Sequence, residues 1–186
     1  MIKTIAFDLW GCLLKENDFV MTEQEEILEK EFWNLNFDQE YYDWATQTLS
    51  LSEKKVKELI SSLMKKLYSL REDEIFEKIL EQYPQITFAI ASNHISQVRE
   101  SLQNLWILEK CRIVLISWDS WYEKPSKEFF ELLREQIGES ADEILFVDDK
   151  EENIQGAEKV WLKGLRYHRW AGLSESVLEY LRRLEK

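Results

Sequence analysis

Four short strand-like runs in this 186-residue chain each lead into residues able to do chemistry. The run beginning at Ile2 stops at Asp8, and residues 86–91 stop at Ser92-Asn93-His94. Residues 112–117 lead into a segment carrying Lys124, and residues 143–147 stop at Asp148-Asp149. Brought together, three carboxylates, a hydroxyl and an ammonium would repel or be costly to desolvate without an ion and an anion between them. Carboxylates hold Mg²⁺ through hard oxygens, and Mg²⁺ bridges readily to phosphate. A lysine and a serine hydroxyl suit the remaining phosphoryl oxygens. The residue types point to the handling of a phosphoryl group.

Those clusters meet only if the runs before them lie side by side. Residues 2–9, 86–91, 112–117 and 143–147 are short, apolar and rich in β-branched side chains, as buried strands are, and residues 164–168 offer one more. Helical patterns separate them: residues 95–106, residues 125–137 with proline in the first turn, residues around 154–160, and residues 173–184. Strands alternating with helices of this length predict parallel pairing with right-handed crossovers. The expected fold is α/β, a doubly wound, Rossmann-like parallel sheet. Sheets of this kind bind ligands outside the carboxyl ends of their strands, where all four clusters lie.

Between the first two of these strands the character changes. Ile27, Leu28, Phe32 and Leu35, then Val56, Leu59, Ile60, Leu63 and Leu67, recur at helical spacing. Ser50-Leu51-Ser52-Glu53 offers a capping residue before the second set, and no strand is legible there. The expected division is an α/β core of residues 1–14 and 84–186 with a small helical cap inserted at 15–83. From Lys15 to Glu81 there are 17 acidic and 9 basic residues, so 8 of the 12 excess negative charges fall in the insertion. Such helices present solvated faces.

Composition narrows the partners. Lys and Arg number 24 against 36 Asp and Glu, a net charge of −12. That balance gives no electrostatic footprint for nucleic acid or an anionic membrane surface. No apolar run reaches the roughly 18 residues of a membrane span, and the apolar part of the N-terminus is too short for a signal peptide. Cys12 and Cys111 form no CxxC pair, so neither a disulfide framework nor a zinc site is expected. The expectation is a cytoplasmic protein that takes a small-molecule phosphate ester.

Read together, these motifs resemble the haloacid dehalogenase-like hydrolase superfamily, most of whose members are phosphatases. Asp8-Leu9-Trp10-Gly11-Cys12-Leu13 is similar to the first motif, Asp-x-Asp-Gly-Thr-Leu, with departures at Trp10 and Cys12. Ala91-Ser92-Asn93 is similar to the second and Lys124-Pro125 to the third. Val147-Asp148-Asp149 with Asn153-Ile154-Gln155-Gly156-Ala157 is similar to the acidic fourth. The resemblance implies that Asp8 is a nucleophile forming an aspartyl-phosphate. It implies that Ser92 and backbone groups around Asn93 hold phosphoryl oxygens, and that Lys124 neutralises charge and keeps Asp8 ionised. Asp8, Asp148, Asp149 and the main-chain carbonyl of Trp10 would hold Mg²⁺.

Plainer roles stand beside these. Asp8 could cap a turn, Asp148-Asp149 could cap the following helix, and Lys124 could be a solvated surface lysine. Phe32-Trp33, Tyr41-Tyr42 and Trp44 read as packing of a small helical bundle rather than as a substrate pocket. His94 could act as an acid or base near neutrality, although a helix-start residue facing solvent is the simpler reading. Trp10 replaces the aspartate that protonates the leaving group in the family's typical phosphatases. An aromatic residue there suggests two alternatives, a 2-haloacid dehalogenase or a catalytically impaired binding member. Those dehalogenases carry hydroxyl residues in place of Asp148-Asp149 and an arginine early in the cap, whereas the first arginine here is Arg71.

Overall fold

The computed structural model describes residues 1–32 and 38–186; Trp33 and Leu35, read above as packing residues, lie outside them. Five strands make one parallel sheet: β1 (Thr4–Phe7), β4 (Thr87–Ser92), β5 (Cys111–Ile116), β6 (Ile144–Asp148) and β7 (Lys163–Arg166), in the order β5-β4-β1-β6-β7. β1 lies between β4 and β6, with Ala6 level with Ala89 and Phe146. Asp8 and the ends of β4 and β6 therefore share one edge of the sheet.

Side chains alternate across the strands, and both faces are apolar, as a sheet covered on both sides requires. Ile5 and Phe7, Phe88 and Ile90, Leu145 and Val147 join one cluster. Ala6, Ala89, Ala91 and Phe146 join the other, under α7 (Lys127–Ile137) and α8 (Glu151–Glu158). Alanines on that second face let α7 bring Phe129, Phe130 and Leu133 close to the sheet. The first face is covered by α4 (Ile75–Gln82), α5 (Val98–Asn104) and the amphipathic α9 (Leu173–Leu184). The sequence places a longer helix over 95–106, but only its middle is helical. It also places Pro125 in the first turn of α7, but Ser126 is the N-cap, its hydroxyl accepting from the Phe129 N–H. Pro125 thus lies just outside the helix.

Within residues 15–83, α1 (Glu23–Lys30), α2 (Asp38–Leu49) and α3 (Glu53–Leu67) pack through Leu28, Tyr41, Val56, Ile60 and Leu63. Ser52 caps α3, accepting from the Lys55 N–H. Tyr41 is buried and donates to the Leu28 carbonyl at 2.9 Å. Two findings correct the sequence reading. The segment is not strand-free: β2 (Leu14–Glu16) and β3 (Tyr68–Leu70) pair antiparallel at its two ends. Three residues are too few for an alternating pattern to register. In addition, α4 lies within the 15–83 boundaries yet packs on the sheet, with the Phe76 ring 4.8 Å from Phe88 and 6.3 Å from Phe7. Among the described residues no helix is long and apolar enough to cross a membrane.

Candidate active site

β1 delivers Asp8 at its carboxyl end, and burial of the strand buries the carboxylate with it. Lys124 arrives from the loop before α7 and is equally buried. Its ammonium donates to Asp8 Oδ1 at 2.6 Å and to Asp148 Oδ2 at 2.7 Å. The Ser92 hydroxyl, at the end of β4, donates to the same Asp8 oxygen at 3.1 Å. Asn93 sets the height of the lysine: its Oδ1 accepts from the Lys124 N–H at 2.8 Å, and its Nδ2 donates to the Lys124 carbonyl at 2.9 Å. Lys124 is thus no surface lysine.

Burial pushes the Asp8 carboxyl up to about 6, with Lys124 pulling it down and Asp148 adding to the rise. Burial alone would lower Lys124, but Asp8 and Asp148 more than offset it, and the ammonium is held above its ordinary value. One cation shared between two carboxylates keeps its proton.

Asp148 is fully engaged. Its Oδ2 accepts from Lys124 and from Asn153 at 2.9 Å, and its Oδ1 accepts from the Lys150 N–H at 2.8 Å. Asp149 differs: Oδ2 takes two donations from Arg169, at 2.8 and 3.2 Å, while Oδ1 is buried without a hydrogen-bond partner. Oxygens of Asp8, Asp148 and Asp149 lie within 4.8 Å of one another. Three hard-oxygen donors, one of them orphaned, fit Mg²⁺ and do not fit zinc, which favours nitrogen and sulfur. A pocket of about 240 Å³ opens over Asp8, Asn93 and Lys124, bounded by Trp10 and Asn153.

Trp10 is fixed on two sides. Its indole N–H donates to Glu16 at 2.9 Å, and the Arg169 guanidinium lies 4.7 Å from its ring centre. Gly11, at φ +82°, is a glycine for two reasons. The left-handed backbone favours it, and a Cβ there would fall 2.3 Å from Arg169 and 2.5 Å from Asp149 Oδ2. The Cys12 thiol is buried and lies 3.7 Å from the Val147 carbonyl; burial holds it well above its ordinary pKa, so it packs where the family motif has threonine.

The solvent-facing reading of His94 is wrong. The residue is buried, with Nε2 2.9 Å from the Tyr68 hydroxyl and Nδ1 3.3 Å from the Ile95 carbonyl. A carbonyl only accepts, so Nδ1 carries the proton and Nε2 accepts from Tyr68. Burial lowers the imidazole to about 3, which leaves it neutral at physiological pH and unsuited to protonate a leaving group. Its rings of contact are Tyr68 and Phe32, both from the inserted segment, so it fastens that segment to the core. His94→Ala is expected to lose about 2–4 kcal/mol of stability in urea denaturation. Its pH–rate profile between 5 and 8 should keep the wild-type shape; loss of one limb would restore the acid/base role.

Fold and side chains together define an open α/β protein with a carboxylate-rich strand edge. The chain matches the haloacid dehalogenase-like hydrolase family over residues 5–165, and it belongs to that family. Its fold is similar to that of a haloacid dehalogenase-family enzyme from Bacteroides thetaiotaomicron solved with magnesium and inorganic phosphate (TM-score 0.70, 17% identity, 94% of this chain and 98% of that one). It is similar also to a haloacid dehalogenase-family phosphatase from Thermococcus onnurineus (TM-score 0.62, 17% identity, 92% and 88%). An L-2-haloacid dehalogenase from Xanthobacter autotrophicus with chloropropionic acid covalently bound aligns at TM-score 0.62 and 15% identity, over 98% and 83%. No curated protein matches the sequence.

Proposed function

We propose that this hydrolase is a Mg²⁺-dependent phosphatase that acts on a small phosphorylated metabolite through an aspartyl-phosphate on Asp8. One observation carries the reading: a buried ammonium bridges Asp8 and Asp148 beside a third carboxylate whose Oδ1 has no partner. That set lacks one cation for charge balance and faces a pocket of metabolite size. Asp8 and Asp149 offer the open oxygens for the metal, together with the Trp10 carbonyl that the family resemblance implies, and Asp148 acts chiefly by holding Lys124. Mg²⁺, when bound, would neutralise phosphoryl charge and hold the group for attack.

Asp8 Oδ1 lies beside Lys124 and Ser92, the groups that bind the phosphoryl oxygens, so Oδ1 is the oxygen that attacks phosphorus and Oδ2 is left for the metal. The new O–P bond forms as the bond to the leaving oxygen breaks, and that oxygen departs with its electron pair. Lys124, Ser92 and the backbone near Asn93 bind the phosphoryl oxygens. Water then attacks phosphorus, which frees phosphate and returns Asp8. Trp10 does not replace the missing aspartate at position 10, because its indole donates to Glu16 and cannot give up a proton at this pH; Glu152 is the other carboxylate beside Asp8 among the described residues lining the pocket.

General acid help is typically worth roughly 10²–10⁴-fold. Aryl phosphates, whose leaving group needs little protonation, should therefore be hydrolysed at least about 10²-fold faster than a sugar phosphate. Trp10→Asp should raise the sugar phosphate rate by about tenfold or more and leave p-nitrophenyl phosphate nearly unchanged. Both are read from phosphate release with and without Mg²⁺; equal wild-type rates on the two esters would sink the argument. The second reading, hydrolytic dehalogenation, rests on the aromatic Trp10 beside the nucleophile. Halide release from 2-chloropropionate in EDTA would favour it, and absence of turnover on either substrate class would favour a binding member.

A further inference from the structure

We propose that Arg169 and Trp10 form a clamp that orients Asp149 for the metal ion. The inference rests on the metal reading above. Arg169 approaches Asp149 with Nε and Nη2, both to Oδ2, so the carboxylate cannot rotate without losing two charge-assisted bonds. The consequence is visible on the other oxygen: Oδ1 is buried and without a partner. A half-exposed arginine is ordinarily mobile, but this one lies on the Trp10 ring. The ring is itself held by its N–H bond to Glu16 of β2. Gly11 beneath supplies the space, since any Cβ would strike both Arg169 and Asp149. Glu16, Trp10, Arg169 and Asp149 therefore form one continuous strap from β2 to the carboxylate. Tryptophan at position 10 has a use here that the proton-transfer comparison does not reveal: it is the platform for a guanidinium. Partners of metal ligands of this kind typically change metal affinity 10–100-fold when removed.

The test is calorimetric titration of MgCl₂ into the full-length protein, with circular dichroism in EDTA to verify that each variant is folded. Arg169→Gln should weaken Mg²⁺ binding about tenfold. Trp10→Ala should weaken it less, about threefold, because it removes only the platform. The double variant should be no weaker than Arg169→Gln alone, since both changes act through one strap. Trp10→Phe keeps a ring face under the guanidinium but loses the N–H bond to Glu16, and should fall between wild type and Trp10→Ala. Unchanged or tighter binding in Arg169→Gln, with wild type binding normally, would overturn the clamp alone and make Arg169 merely a counter-ion. If wild type binds no Mg²⁺, the metal reading falls, and the clamp falls with it.

Discussion

Asp8→Asn is expected to abolish turnover, by about 10⁴-fold or more, as removal of a covalent nucleophile does in other enzymes, while the protein remains folded. The amide keeps the size of the carboxylate and can still accept from Ser92 and Lys124, so the strand edge need not rearrange. The variant should in fact be more stable in EDTA at neutral pH. In the native chain burial lifts Asp8 to about 6 from its ordinary value of 3.8. A carboxyl raised in this way binds more protons folded than unfolded between pH about 4 and 6. Its contribution is therefore present at low pH and lost as pH rises through 6. Two pKa units correspond to roughly 3 kcal/mol, and because that net rise already includes the attraction of Lys124, the expected gain is of this order. Urea denaturation at pH 7.5 and pH 4 should show the gain at the first and almost none at the second. Residual phosphatase activity near the wild-type level would remove Asp8 from the chemistry altogether.

The strand-end residues were legible because each follows a short apolar run, and such runs are buried for reasons the local sequence already contains. β1, β4 and β6 are of this kind, and Asp8, Ser92, Asp148 and Asp149 follow from them. β7 is not. The sequence places a strand over 164–168, but its residues Lys163–Arg166 are exposed or half-exposed and no carboxylate, serine hydroxyl or lysine follows it directly. Arg169, three residues beyond β7, therefore carries no signal of its own until Asp149 is placed beside it.

His94 failed differently. The sequence places it correctly beside Ser92-Asn93 at the end of β4, but what buries it comes from elsewhere. Tyr68 begins β3 and Phe32 follows α1, and no local pattern connects either to residue 94. The same holds for β2 and β3: their pairing closes the ends of the insertion, and three-residue strands exist only because that closure exists. Contacts between distant segments decide whether a histidine is a titrating group or a packing group. Here they make it packing.

Lys124→Met should be the most destabilising single change at this edge. Replacing a buried ammonium of two close ion pairs by an apolar chain of similar length leaves Asp8 and Asp148 facing each other with Asp149 nearby. Removing one partner of a buried pair typically costs about 3–5 kcal/mol, because the other charge stays buried and uncompensated. The cost must depend on pH. Without the lysine, the main influence lowering Asp8 is gone, so its folded pKa rises further above the unfolded value and the carboxyl protonates more readily. The deficit is then small near pH 4, where folded Asp8 is protonated in wild type and variant alike, and opens as pH rises toward 7 and beyond. Mg²⁺ should narrow the deficit at neutral pH by supplying the missing charge, which it would not do for a simple packing defect. Urea denaturation at pH 4.5 and 7.5, with EDTA and with MgCl₂, separates the two. A loss below about 1 kcal/mol at pH 7.5, or one that does not change with pH, would mean that Lys124 does not neutralise this cluster.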